Sequence, residues 1–286
     1  MAAGAVTTTQ AANFIPTLWS LEVREAYYDN YVLAGLVDRS YQELAKTGFG
    51  NKIRIPDIDA LGGWGTITEG SAVAQYTQNV ESYVDIDVTT YEGIRLSWPS
   101  IVEIQSMPSL RQNYTREMGL EAAKAIDDDL AALVDGFSQT VGELATALED
   151  ENVRRAEQYL DDANAPLTDR FMVVSPAQLM GFYDIEKYAN SLYKSSTGGL
   201  DASKGRGYVG KIYRTDVYES SNVDGSNAAG HDNAMFQRKA LALVVQQEPK
   251  VEMWRNVAYA MDEVVCWALW GVKEIRDTSG VWMKGL

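Results

Sequence analysis

Two periodicities share the chain. In Lys52–Ile58, Ile53 and Ile55 fall on one side, and Lys52 and Arg54 on the other. This period of two predicts a half-buried strand. Pro56 lacks a ladder donor, so the strand is near a sheet edge or ends there. A second alternating run covers Tyr83–Trp98, where Val84, Ile86 and Val88 interleave with Asp85, Asp87 and Thr89. The two runs flank Leu61–Val73, LGGWGTITEGSAV, and predict a long two-stranded ribbon with a wide end loop. A lone ribbon is marginal in water, so it needs a partner surface.

After Pro108 the period becomes helical. Leu110, Tyr114, Met118, Ala122, Ala125/Ile126, Leu130, Leu133 and Val134 recur at steps of three and four. Ser109 is a candidate cap and Gly136 a stop, which predicts a helix over 109–135, ~40 Å long. A second helix is expected over Glu143–Asn164, with an acidic outer face. Beyond Pro166 the pattern is mixed: a buried strand at Arg170–Ser175, a helix from Pro176, and alternation again in Lys211–Ser220. Ser221–Asn233 reads as a polar loop, and the segments around Ala240–Arg255 and Ala258–Asp277 as strands. At the other end, residues 1–13 read as a flexible arm. Pro16, Leu18, Leu21 and Val23 suggest a short helix, and Tyr27, Tyr28 and Tyr31 suggest that it lies against something. The fold class is α+β.

Composition narrows the function. The 286 residues carry a formal charge of -15, which argues against a surface that reads nucleic acid, since that needs a basic footprint. Cys266 is the single cysteine, which rules out an intramolecular disulfide and suits a reducing cytoplasm. The first residues, MAAGAVTTTQAAN, have neither a charged nor an apolar signal region. The longest apolar run, Val264–Val272, is far short of the ~20 residues that span a bilayer, so no membrane is expected.

The motifs that would carry chemistry fail on their key residues. Gly65–Ser71 has P-loop spacing, but Ser71 and Ala72 stand where lysine and a hydroxyl are required. Gly205–Gly210, GRGYVG, matches GxGxxG, but a loop precedes it and strand-like residues follow. The dinucleotide fingerprint needs the reverse context, so the segment reads as a mobile loop. His231, the only histidine, sits in a polar loop, and Cys266 in an apolar strand. A surface imidazole and a core thiol are expected, with no zinc site. Asp127, Asp128 and Asp129 point ~100° apart on a helix and read as a solvated face. No catalytic residue, cofactor or metal ligand is nominated, and the chain is expected not to be an enzyme. What remains is an arm, a ribbon and a long helix, protrusions that are buried when subunits meet.

The order of these segments resembles the tailed-phage major capsid protein family, whose fold is shared with bacterial encapsulins. Phe14–Tyr41 looks like its N-terminal arm, Gly50–Trp98 like its extended loop, and Ser109–Gly136 like its long spine helix. Arg170–Asp184, RFMVVSPAQLMGFYD, is similar to the strand–Ser-Pro–helix unit that opens the axial domain. The resemblance implies an arm over 1–47 and an extended β-hairpin loop over 48–98. It implies a peripheral domain over 99–145 and 256–286, with the spine helix at 109–135, and an axial domain over 146–255. It implies pentamers and hexamers of an icosahedral phage head around double-stranded DNA, assembled in the host bacterial cytoplasm. A portal protein, a separate scaffolding protein and a decoration protein are implied partners. Trp64, Glu69 and Gly70 become candidate inter-subunit contacts, with Trp64 either anchoring on a neighbour or folding back on its own ribbon. Lys52 stands at the ribbon's base, so cross-linking through a loop lysine is not expected. The alternatives are an encapsulin-like nanocompartment shell and, further off, an acid-dependent hydrolase.

Overall fold

In a computed structural model the alternating runs become strands of three sheets. The structure describes residues 23–24, 31–47, 50–58, 69–70, 81–99, 109–189, 198–200 and 207–286. Strand β1 (Lys52–Ile58) pairs antiparallel with β2 (Glu81–Asp87), from Lys52↔Asp87 to Ile58↔Glu81. Ile55 and Ile86 are buried against Ala242 and Val244, so the ribbon is rooted at its base. Its polar side is a ladder of ions. Lys52 Nζ lies 3.3 Å from both Asp85 and Asp87, and Arg54 Nε donates to Asp85 Oδ1 at 2.9 Å. Arg54 also lies over the Tyr83 ring at 3.9 Å. Its hydrogen bond holds the Asp85 carboxyl below the usual carboxylate range. Pro56 sits within a two-stranded ribbon, as expected for an edge strand.

The run Tyr83–Trp98 is not one strand. It breaks at Val88–Thr89, and β3 (Thr90–Pro99) leaves the ribbon to pair with β12 (Met261–Glu274). The break passes over Gly271, where an added Cβ would stand 2.3 Å from the Asp87 carbonyl oxygen. β12 also pairs with β11 (Leu241–Asn256), giving the order β11-β12-β3. At 16 residues, β11 is ~50 Å long at ~3.3 Å per residue. Its register slips twice between Val245 and Lys250, where Pro249 has no N–H to give.

The N-terminal helices are short: α1 (Leu33–Leu36) and α2 (Gln42–Thr47). The long helix α3 (Ser109–Ala131) comes next. The expected helix over 109–135 therefore stops four residues early and closes in a 3-10 turn at Val134–Gly136. One end of α3 buries Met118 against Val23, Val264 and Cys266. The other buries Ile126 and Leu130 against Leu33, Leu36 and Trp270.

The third sheet has eight strands in the order β4-β13-β10-β5-β8-β7-β6, with β9 on β10. These are β4 (Thr140–Gly142), β5 (Arg170–Val174), β6 (Gly198–Leu200), β7 (Tyr208–Ile212), β8 (Thr215–Glu219), β9 (Gly225–Ser226), β10 (Gly230–Gln237) and β13 (Gly280–Gly285). Helices α4 (Asp150–Asp162) and α5 (Pro176–Asp184) share its core through Val153, Ala156, Leu160, Leu179 and Phe182. Ser175 caps α5 by accepting Gln178 N–H at 3.1 Å. A short α6 (Glu186–Ala189) follows after a break at Ile185.

Several expectations are corrected. The second helix starts at Asp150 rather than Glu143, because β4 and a turn take the residues before it. Lys211–Ser220 is two strands, turned at Tyr213, whose φ of 51° is left-handed. Tyr208–Gly210 of GRGYVG is strand, not loop, and Gly225–His231 makes a hairpin within the expected polar loop. Within the expected arm, residues 31–47 pack on the body. Leu33, Ala34, Leu36 and Val37 are buried, and Asp38 exchanges backbone bonds with Leu241 and Leu243 at 3.0 Å. A cut at 255/256 would separate β11 from its partner β12. β13, grouped by sequence with the peripheral segment, lies between β4 and β10 in the eight-stranded sheet.

Candidate assembly surface

Trp64 lies outside the described residues. Glu69 and Gly70 form an exposed turn, with Gly70 at φ 82°, a conformation that suits glycine. The remainder of the short helix proposed around Pro16 also lies outside them, apart from Val23–Arg24, which are helical. Arg24 donates to Glu248 of β11.

The exposed apolar surface lies elsewhere, at the end of the β11–β12 hairpin. Trp254, Val257 and Tyr259 are 74%, 80% and 73% exposed. Val257–Tyr259 forms a 3-10 turn closed by Ala260 in the left-handed region. The sequence reading missed these residues, although a signal was present. The turn between two alternating strands, WRNVAYAM, holds apolar residues where turn chemistry calls for polar ones.

The outward face of the same sheet carries an aromatic stripe. Tyr91 and Trp267 have ring centroids 5.4 Å apart, and Lys250 Nζ lies 5.7 Å from the Trp267 centroid. Ion pairs frame the stripe: Lys250–Glu252 at 2.8 Å and Arg95–Glu263 at 2.7 Å. Gly93 lets β3 lie close against β12, since a Cβ there would stand 2.6 Å from the Cys266 carbonyl oxygen and 2.9 Å from Trp267 Cβ. Between α3 and the sheet lies a cleft of ≈ 200 Å³, lined by Met118, Glu121 and Ala122 of α3, Glu92 and Ile94 of β3, and Cys266, Trp267 and Trp270 of β12.

The three aspartates of α3 are not one solvated face. Asp127 is fully buried, because its helix face turns toward α1. Its carboxylate accepts the backbone N–H groups of Val32 at 2.7 Å, Leu33 at 3.3 Å and Ala34 at 2.9 Å. Burial pushes its pKa up to about 6, against the pull of those donors. Asp129 accepts the Trp270 indole N–H at 2.8 Å. Asp128 alone is exposed. Asp150 is a second hub. It accepts from Lys187 Nζ at 2.7 Å and the Tyr188 hydroxyl at 2.9 Å, and from the Tyr213 hydroxyl.

None of this is reaction chemistry. Cys266 is buried, and burial pushes its thiol up to about 11. His231 belongs to another sheet, where its Nε2 meets Asn227 Oδ1 at 3.0 Å. Among the described residues no group of three or more metal-binding side chains forms, and no helix is long and apolar enough to cross a membrane.

The family model for the phage capsid protein matches residues 81–284, which takes in all three strands of the long sheet, the long helix and most of the eight-stranded sheet. The chain belongs to the phage capsid protein family. The capsid protein matches no curated protein sequence. Its fold matches solved structures. One, from Mycobacterium phage Che8, is 22% identical with a TM-score of 0.72, covering 89% of this chain and 91% of that one. Another is the asymmetric unit of the bacteriophage PhiM1 mature capsid, 16% identical with a TM-score of 0.65, covering 89% and 87%. A virus-like particle from Pyrococcus furiosus is 10% identical with a TM-score of 0.59, covering 94% and 99%. The capsid protein is thus a structural component of a virion, a major capsid protein that assembles with copies of itself, and its fold is the α+β fold expected from the sequence.

Proposed function

We propose that the capsid protein forms the pentamers and hexamers of an icosahedral phage head enclosing double-stranded DNA, and that it carries out no catalysis. The observation that carries this reading is the ribbon. It is rooted in the body by Ile55 and Ile86, while Tyr83 is 58% exposed and the Glu69–Gly70 turn is exposed. A projecting ribbon is weak alone and gains stability only on another surface. In this reading residues 48–89 form the extended loop, and Trp64, Glu69 and Gly70 meet a neighbouring subunit. The three-stranded sheet with α3 forms the peripheral body, and the eight-stranded sheet forms the axial one. The charge of -15 suits a wall past which packed DNA must slide. Assembly takes place in the host bacterial cytoplasm, with a separate scaffolding protein, a portal and a possible decoration protein as partners.

The likeness to the Pyrococcus furiosus particle supports a second reading, a nanocompartment shell that encloses protein cargo. Electron microscopy of the purified protein, with size-exclusion chromatography, tests both. Closed shells or five- and six-membered rings are expected. Co-purifying nucleic acid separates a head from a compartment. A compact monomer at every concentration, even when co-expressed with neighbouring gene products, overturns both readings.

A further inference from the structure

The sequence holds two Asp-Gly pairs, Asp135–Gly136 and Asp224–Gly225. Such a pair is open to rearrangement, because glycine has no side chain to shield its amide nitrogen from the preceding carboxyl group. Both pairs are exposed, so water reaches each of them. The fold treats their amides differently.

Gly136 ends the 3-10 turn Val134–Gly136, and its N–H donates to the Leu133 carbonyl oxygen at 3.2 Å. That nitrogen is tied to a main-chain acceptor upstream of its aspartate. Gly225 opens β9, next to the point where the Asp232 N–H donates to the Asp224 carbonyl oxygen at 2.9 Å. Bonded pairs alternate with unbonded ones along an antiparallel ladder, so at Gly225↔His231 the glycine N–H points away from β10. Its acceptor is the side chain of the residue before it: Gly225 N–H donates to Asp224 Oδ1 at 2.7 Å. The carbon that bears this oxygen, Cγ, is the carbon on which a succinimide ring closes. Nucleophile and electrophile are therefore held side by side at the surface. The hairpin also demands the glycine. Its φ is 113°, and a Cβ there would stand 2.2 Å from the Gly230 carbonyl oxygen. A larger residue that would shield the nitrogen does not fit.

We propose that Asp224–Gly225 is a site of spontaneous backbone isomerisation, at which the folded protein acquires an isoaspartate as it ages. The Gly225 nitrogen gives up its proton to solvent and attacks Cγ of the protonated Asp224 carboxyl group. The N–Cγ bond forms and the C–OH bond breaks. The leaving hydroxide takes up a proton and departs as water, and a five-membered succinimide remains. A second water opens the ring. Opening at Cγ restores aspartate. Opening at the former main-chain carbonyl carbon turns that carbon into a free carboxylate and carries the peptide through Cγ. No electrons are gained or lost. The product lengthens the backbone by one carbon where Asp224 had accepted the Asp232 N–H, so it undoes that bond and loosens β9 from β10. The step needs only this chain and water, and stands apart from the capsid reading.

The test keeps the full chain in heavy-oxygen water at neutral pH for several weeks. Isoaspartate is then counted peptide by peptide, by methyl transfer from S-adenosylmethionine with an isoaspartyl methyltransferase. Ring opening leaves one heavy oxygen at each rearranged site, which separates new isomer from old. In the folded chain the Asp224 peptide should carry at least five times the isoaspartate of the Asp135 peptide. That ratio equals about 1 kcal/mol, the net worth of the hydrogen bond that holds Gly136. In urea the two sites should converge, since the fold is what separates them. Asp224→Glu keeps the charge, requires a six-membered ring and should lose the signal. A folded-chain ratio below five, or no heavy isoaspartate at residue 224, overturns the inference. So does an excess at residue 224 that persists in urea, since it would belong to the local sequence and not to the hairpin.

Discussion

The Asp127 carboxylate holds the backbone N–H of Ala34 at 2.9 Å, across 93 positions of sequence. With Val32 and Leu33 also donating to it, one side chain of the long helix gathers the first turn of α1 onto the body. Its pKa rises from 3.8 to about 6, so the folded chain keeps a proton that the unfolded chain releases. This contribution is fully present below pH ~4, falls as pH rises through ~6, and is flat above that, a span of ~3 kcal/mol. Asp127→Asn keeps an acceptor and removes the charge. Urea unfolding of this variant at pH 4.5 and pH 7 should lose that part of the difference. Asp127→Ala strands the three donors and should cost ~2–4 kcal/mol, with faster amide exchange at residues 32–34.

Asp150 works in the opposite sense. Burial raises its pKa, but the donors Lys187, Tyr213 and Tyr188 outweigh burial and hold it below the usual carboxylate range. Its stabilisation is present above pH ~4 and disappears as pH falls below that. Asp150→Ala leaves the buried Tyr188 hydroxyl without its acceptor and should cost ~2–3 kcal/mol at pH 7. Its acid-unfolding curve should be flatter than that of the native chain.

Gly271 is the point where the ribbon turns into the body. A methyl group there meets the Asp87 carbonyl oxygen at 2.3 Å and the Val88 Cα at 3.0 Å, and neither can yield. Gly271→Ala should cost ~3 kcal/mol or more. Hydrogen exchange should show the loss first at β1 and β2, with the eight-stranded sheet still protected.

Trp64→Ala tests the extended loop. Particle yield or heat resistance should fall while circular dichroism of the free subunit stays unchanged. Shells of normal yield and melting temperature would remove Trp64 from the interface.

Elements whose signals are local could be read from the sequence. The Ile53/Ile55 alternation, the stripe from Met118 to Leu130 and the helix start at Pro176 each appear where expected. Tyr213 turns a hairpin without glycine, asparagine or proline, so nothing in IYRT marks the turn. Asp127 reads as solvated because three adjacent acids look alike until α1 arrives from 93 residues away. Of the candidate surface, the sequence offered the loop tip. The hairpin end escaped because Trp254 and Tyr259 were read as ordinary strand residues rather than as apolar residues at a turn.

The place of β13 has a consequence for synthesis. Among the described residues β4 (Thr140–Gly142) pairs only with β13 (Gly280–Gly285), and β10 pairs with β13 along six residue pairs. A chain emerging from the ribosome makes β4 early and must hold it unpaired until residue 280 and beyond have been translated. Long-range pairing of this kind is slow to form. A prematurely stopped chain therefore leaves β4 and one edge of β10 without their partner strand.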